Sequence, residues 1–300
     1  MNTTQRFCIL TVSLIHVVVG LTSSNFIAVA DEPTNRETPR PISVTATIGD
    51  VLIRIDGPKL WTISRIEYKD TIFGIEDSAY GTVVNILNVG FIGTAHKEVE
   101  TENVTRLKFF LDDELMQSPN AEIRGERFKV ERTSRIRSFY LDSELEVRDN
   151  RLYQSVRLRT ADSVDMKVIY PFMYAWTPTA TAYLFGADDG TRVEGKFQGE
   201  SAKQEQLSQA NMNWLAVYDR PTGHGVVSRL LAQPKVGDTS MLIVDSPGVY
   251  RKYYIMSFSD GKVPAGFDGT YRIVTGFFTS EEATWKTEAD KMAEALMSSP

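Results

Sequence analysis

The stretch Leu141–Arg159, LDSELEVRDNRLYQSVRLR, decides the fold class. Leu141, Leu145 and Val147 fall on one face of an extended chain, and Asp142, Glu144, Glu146 and Arg148 fall on the other. That alternation has period two, the repeat of a strand with one face buried. Asp149-Asn150 follows, a pair that tolerates positive φ and suits a two-residue hairpin turn. Leu152, Val156 and Leu158 then resume the apolar face, with Arg157 and Arg159 on the wet one. The segment is expected to be an antiparallel hairpin whose acidic and Arg residues can meet across the ladder.

The same signature recurs in both directions. Ile42–Ile48 (ISVTATI), Val51–Ile55 and Lys59–Tyr68 (KLWTISRIEY) alternate before it, with Asp56-Gly57-Pro58 as a turn. In Lys59–Tyr68 the spacing puts Leu60, Thr62, Ser64 and Ile66 on one face and Trp61, Ile63, Arg65 and Glu67 on the other. Eight further strand segments follow the hairpin, from Met166–Trp176 to Thr270–Phe278, separated by turn clusters such as Asp188-Asp189-Gly190 and Ser246-Pro247-Gly248. Two stretches have a helical look. Ala202–Met212 is polar and fits either state; Ser280–Met297 has a capped acidic start and an apolar face of Trp285, Met292, Ala293 and Leu296. The expected fold class is therefore all-β: a large antiparallel β-sandwich across residues 42–300, a single domain closed by a C-terminal helix over 280–298.

The amino terminus carries a different message. Met1–Arg6 is short and singly charged, Phe7–Val19 (FCILTVSLIHVVV) is apolar, and Ala28-Val29-Ala30 is an A-x-A cleavage pattern. These features mark residues 1–30 as a secretory signal peptide cut after Ala30, and the polar, Pro-rich Asp31–Pro41 as a flexible leader. The apolar run of about 13 residues is short of the roughly 20 that span a bilayer. The expectation is a secreted or periplasmic protein without a stable membrane span after cleavage. Cleavage removes the one cysteine, Cys8, and one of the three histidines, His16. Thiol chemistry, disulfides and a His-rich metal centre go with them; no metal and no cofactor is expected. The chain has 33 basic and 39 acidic residues; without Arg6 the balance is 32 − 39 = −7. A net negative charge argues against nucleic acid as a partner.

Within the remaining chain, Gly90–Glu98 (GFIGTAHKE) places His96 and Glu98 two apart, on one face if extended, where a carboxylate can orient an imidazole for proton transfer. His224 sits in a Gly-flanked turn, Arg220–Gly225. Tyr170, Phe172, Tyr174 and Trp176 recur every second residue. Such a row either packs a sandwich core or lines a glycan groove by stacking on sugar rings. Pro171 restricts that strand to an edge or a bulge, and Trp176, at the strand end, is the member expected to be exposed. Arg251-Lys252-Tyr253-Tyr254 offers a phenol as proton carrier and a cation for an acidic sugar. An amphipathic strand explains the same four residues. G-x-S-x-G, H-E-x-x-H, P-loop and G-x-G-x-x-G motifs are absent, and Asn103-Val104-Thr105 fits a glycosylation sequon.

Three segments carry a family resemblance: Trp214–Asp219 (WLAVYD), Thr222–Val227 (TGHGVV) and Tyr271–Phe278 (YRIVTGFF). With the antiparallel series around them, they resemble the galactose-mutarotase-like β-supersandwich, over most of residues 42–280. That superfamily includes aldose epimerases and the sandwich domains of polysaccharide lyases and some glycosidases. The resemblance implies carbohydrate as partner. By the epimerases' His acid and Glu base it implies His96 and Glu98 as catalytic candidates; by the lyases' Tyr or His with Arg, it implies Tyr254, His224 and Arg251. Tyr174 and Trp176 are the ligand-stacking candidates alongside Arg251. The expected function is an exported carbohydrate-binding or polysaccharide-processing accessory protein. The alternatives are an epimerase or lyase using His96, and a non-catalytic cell-envelope interaction domain.

Overall fold

The hairpin forms as its pattern requires. In the computed structural model, which describes residues 43–298 apart from 77–80, 95, 97, 98, 118, 120, 201 and 211, Phe139–Arg148 and Arg151–Arg159 pair antiparallel with Arg148 opposite Arg151. Asp149 and Asn150 take φ of 52° and 56°, the two positive values of a type I′ turn. Leu141, Leu145, Val147, Leu152, Val156 and Leu158 are all buried. On the other face Arg159 pairs with Asp142 and Arg157 with Asp268. Glu146, expected in solvent, is covered by Arg127 and Arg148, which both pair with it. The proposed signal peptide, the leader 31–41 and Ile42 lie outside the described residues.

These strands belong to a ten-stranded sheet that packs against a twelve-stranded one. The ladders are antiparallel, except where Ser43–Ile48 runs parallel to Glu122–Gly125. The core between them takes Ile53, Ile55, Ile66 and Ile255 from the larger sheet and Phe128, Leu141, Val156 and Tyr271 from the smaller. The all-β sandwich with one C-terminal helix is thus the fold the patterning implies.

Local departures have local causes. Lys59 ends a 3-10 turn, and the strand that follows begins only at Thr62. A register shift opposite Arg54 and Ile55 turns both Ile63 and Ile66 toward the core. Glu205–Ala210, from the ambiguous segment, is a strand pairing with Thr239–Ser246 at the margin of the larger sheet. An edge position tolerates its polar sequence, which would leave a helix there no apolar stripe to bury.

The helix begins later than its cap signals imply, at Trp285, and runs to Met297. Ser280 is held elsewhere: its N–H donates to Gly223 O and its carbonyl accepts from the Tyr218 hydroxyl. Trp285, Ala289, Ala293 and Leu296 bury against Trp214, Tyr218, Val274 and Phe278, so the helix covers the outer face of the smaller sheet. Among the described residues no helix covers the outer face of the larger one.

The smaller sheet has a second device. Aromatic rings lie over glycines directly across the ladder: Trp214 opposite Gly186, Phe278 opposite Gly225, and Tyr183 opposite Gly195. A Cβ on Gly225 would stand 2.1 Å from the Phe278 ring. Gly225→Ala is therefore expected to cost about 1–3 kcal/mol through overpacking, read as a lower denaturant midpoint with an unchanged m-value.

Candidate functional site: an aromatic patch on the uncovered sheet face

The strand Val164–Trp176 pairs with Tyr250–Ser257 on one side and with Val83–Ile86 on the other, and its register shifts between Ile169 and Phe172, around Pro171. This is the bulge a proline inside a strand demands. It also splits the aromatic row. Phe172, Tyr174 and Trp176 join the inter-sheet core, whereas Tyr170 packs with Phe91, Tyr254, Val83 and Met173 in a separate cluster.

That cluster is built on the outer face. Val83–Ile86 and Gly90–Gly93 form a short hairpin. Gly93 has φ 132°, and a Cβ there would meet Thr82 O at 2.5 Å, so only glycine allows the two strands this approach. After it the chain turns back: His96 N–H donates to Gly93 O at 3.0 Å. The imidazole then stacks on Phe91 with centroids 5.0 Å apart. Phe91 lies 6.3 Å from Tyr170, nearly parallel to it, and Tyr170 lies 4.7 Å from Tyr254. His96, Phe91, Tyr170 and Tyr254 thus form one continuous row of rings from three separate parts of the chain. Lys252, two residues from Tyr254 on the same face, holds its ammonium 5.4 Å from the Tyr254 centroid and 5.7 Å from that of Tyr250, within cation–π range.

Burial sets the protonation of these groups. It pushes the Tyr170 and Tyr254 phenols above their ordinary value, with the neighbouring phenols adding to the shift at Tyr254. It lowers Lys252. Both tyrosines therefore keep their protons at neutral pH and offer O–H donors; a tyrosine base needs the opposite shift. Beyond the aromatic patch the face is charged. Arg65 pairs with Glu67 and Glu76, each at 2.5 Å, and Arg54 with Asp56 at 2.9 Å.

The other candidates sit elsewhere. Tyr174 and Trp176 are each 1% exposed and stack on one another in the core at 4.8 Å; Tyr174 donates its hydroxyl hydrogen to Gln154. The strand end at Trp176 is covered because its ladder continues to Gly74 and Arg251. Arg251 is buried and committed: it pairs with Asp245, donates to Gln198 O at 2.9 Å and to Ala180 O at 3.5 Å, and lies over the Phe197 ring. Glu98 lies outside the described residues.

His224 is on the smaller sheet, with Nδ1 3.0 Å from Thr279 Oγ1 and its ring edge-on to Tyr68. The two histidines thus stand on different sheets and against different rings. Burial, with Lys69 adding to it, lowers the His224 pKa. A histidine whose folded pKa is depressed takes up its proton more readily when unfolded, so it withdraws stability as pH falls below the unfolded value of about 6.5. Between pH 7.5 and 5 the wild type is expected to lose more unfolding free energy than His224→Gln, in paired denaturant titrations.

Phe91 and Tyr170 are the members that single-residue reasoning did not pick out as a pair. Gly90 and Gly93 flanking Phe91-Ile92 were the available signal.

No family model matches the chain, and no curated protein matches it. Solved structures do. A galactose mutarotase-like protein from Lactobacillus casei aligns with TM-score 0.48 and 8% identity over 79% of this chain and 100% of its own. A putative aldose 1-epimerase from Escherichia coli K12 aligns at TM-score 0.45 and 10% identity, covering 79% and 99%. A galactose mutarotase-like protein from Clostridium acetobutylicum gives 0.46 and 7%, covering 80% and 95%. The likeness is one of fold.

Proposed function

We propose that this is an exported carbohydrate-binding protein whose contact surface is the aromatic row His96–Phe91–Tyr170–Tyr254 on the uncovered face of the larger sheet. The observation that carries the proposal is the continuity of that row, with Lys252 beside it, on a broad face that no helix among the described residues covers. A pyranose ring has an apolar C–H face and a rim of hydroxyls. Half-exposed rings match the first, and protonated phenols and an ammonium match the second. The rows of donors also suit an acidic sugar, whose carboxylate Lys252 would neutralise.

A stacked aromatic contributes about 0.5–1.5 kcal/mol, so Tyr254→Ala is expected to weaken binding by roughly two- to twelvefold. The test is titration calorimetry of the full chain against neutral and uronate-containing oligosaccharides. Tyr140 serves as control, because it is exposed on the other sheet. Binding lost in Tyr254→Ala and kept in Tyr140→Ala supports the proposal; no ligand in the panel, or equal loss in both variants, contradicts it. Export is tested separately, by mass spectrometry of the protein from its native host, with Asp31 expected as the mature N-terminus.

A further inference from the structure

The strand Tyr250–Ser257 carries a lysine in uncommon surroundings. Tyr250, Lys252 and Tyr254 alternate with the buried Arg251, Tyr253 and Ile255, so they share the outer face of the larger sheet. Directly across the ladder Lys252 faces Val244 on one neighbouring strand and Ala175 on the other, and Tyr254 likewise faces Leu242 and Met173. All four of these neighbours are buried and apolar. The stem of Lys252 therefore runs over an apolar floor, with the Tyr254 and Tyr250 rings 5.4 and 5.7 Å from its ammonium.

Charge partners are what this lysine lacks. Lys129 pairs with Glu131, Lys167 with Asp260, Lys286 with Glu194 and Lys291 with Glu288. No carboxylate among the described residues pairs with Lys252. On the same face Glu67 and Glu76 are taken by Arg65, and Asp245, on the adjacent strand, points inward to Arg251. The titratable groups that do surround it, Tyr250, Tyr254 and, beyond Tyr254, Tyr170, are phenols. Burial thus acts on Lys252 without an offsetting charge and lowers its pKa. Lys129, hydrogen-bonded to Glu131, is raised instead.

We propose that Lys252 is a reactive amine that captures aldehydes as an imine, the open-chain form of a reducing sugar among them. An amine attacks only from its neutral form, and lysines used in this way are set in desolvated surroundings. The nitrogen lone pair forms the C–N bond as the carbonyl π bond breaks, and the oxygen then leaves as water with the two protons of the neutral amine. The step consumes nothing but the aldehyde, and water reverses it. An aldehyde carries no charge, so it reaches the amine over Val244 and Ala175 without stranding an ion there. The site adjoins the aromatic row, but a two-carbon aldehyde has no ring to stack, so the inference stands or falls apart from the glycan reading.

The test is reductive trapping on the full chain. Glycolaldehyde is added from about pH 6 to pH 10, below and up to the ordinary lysine range, with cyanoborohydride to reduce the imine to a stable amine. Peptide mass spectrometry then maps the labelled lysines. At neutral pH Lys252 is expected to label several-fold faster than the exposed Lys196 and Lys235, and its labelling should rise at lower pH than theirs. Lys252→Arg keeps the cation and should abolish that label. Tyr254→Ala lets water in beside the amine, so Lys252 should then follow the pH course of Lys196 and Lys235. Labelling of Lys252 no faster than of the two exposed lysines, or with the same pH course, overturns the proposal. Fast labelling that Tyr254→Ala leaves unchanged does so as well, because the surroundings would then not be its cause.

Discussion

Asp245→Ala is expected to lower the unfolding free energy by about 3–5 kcal/mol. Asp245 and Arg251 stand directly across the ladder between Thr239–Ser246 and Tyr250–Ser257, with side chains 1% and 5% exposed. One Asp245 oxygen takes the Arg251 guanidinium and the other accepts the Gln198 N–H at 2.8 Å. Removing the carboxylate leaves a guanidinium buried among Phe197, the Ala180 carbonyl and the Gln198 carbonyl with no counter-charge. The penalty comes from that stranded charge more than from the lost attraction. The double variant Asp245→Ala/Arg251→Met should therefore recover part of the loss, and a double-mutant cycle in denaturant titrations measures the coupling. Equal, additive losses would show that the pair is not coupled. The conversion of Arg251 from expected ligand contact to structural cross-tie rests on this result.

Trp176→Ala is expected to cost about 3–5 kcal/mol, the scale for truncating a buried large aromatic, while leaving glycan binding unchanged in whatever protein remains folded. Trp176 is 1% exposed and stacks within 7° of parallel on Tyr174, which in turn stacks on Tyr253. Thermal unfolding and calorimetry on one preparation separate the two effects. Weakened binding with unchanged stability would place Trp176 in a ligand groove and contradict its position in the core.

The hairpin was legible because local signals agree there. Period-two burial and the Asp149-Asn150 turn each point to the same register, and nothing distant has to intervene. The strand Val164–Trp176 shows the limit. Its spacing puts four aromatics in one row, and Pro171 announces a bulge, but which residues fall on either side of it depends on two neighbouring strands. One residue of slip moved Tyr170 to the outer face and left Phe172, Tyr174 and Trp176 in the core. The spacing at Arg251–Tyr254 was informative in the same partial way. It separates Arg251 and Tyr253 from Lys252 and Tyr254, and the first pair is indeed the buried one. The partner that makes an inward arginine tolerable, Asp245, comes from an adjacent strand and leaves no local trace. The row from His96 to Tyr254 joins segments more than 150 residues apart, which only tertiary structure can bring together.

The central claim is that sugar lies on the outer face of the larger sheet, and amide hydrogen exchange with and without a bound oligosaccharide tests it most directly. Slowed exchange is expected in Val83–Ile86, Gly90–Gly93 and Tyr250–Ser257 and around Tyr170, with Phe139–Arg148 of the smaller sheet unchanged. Protection confined to the smaller sheet or its helix, with none in those segments, would contradict it.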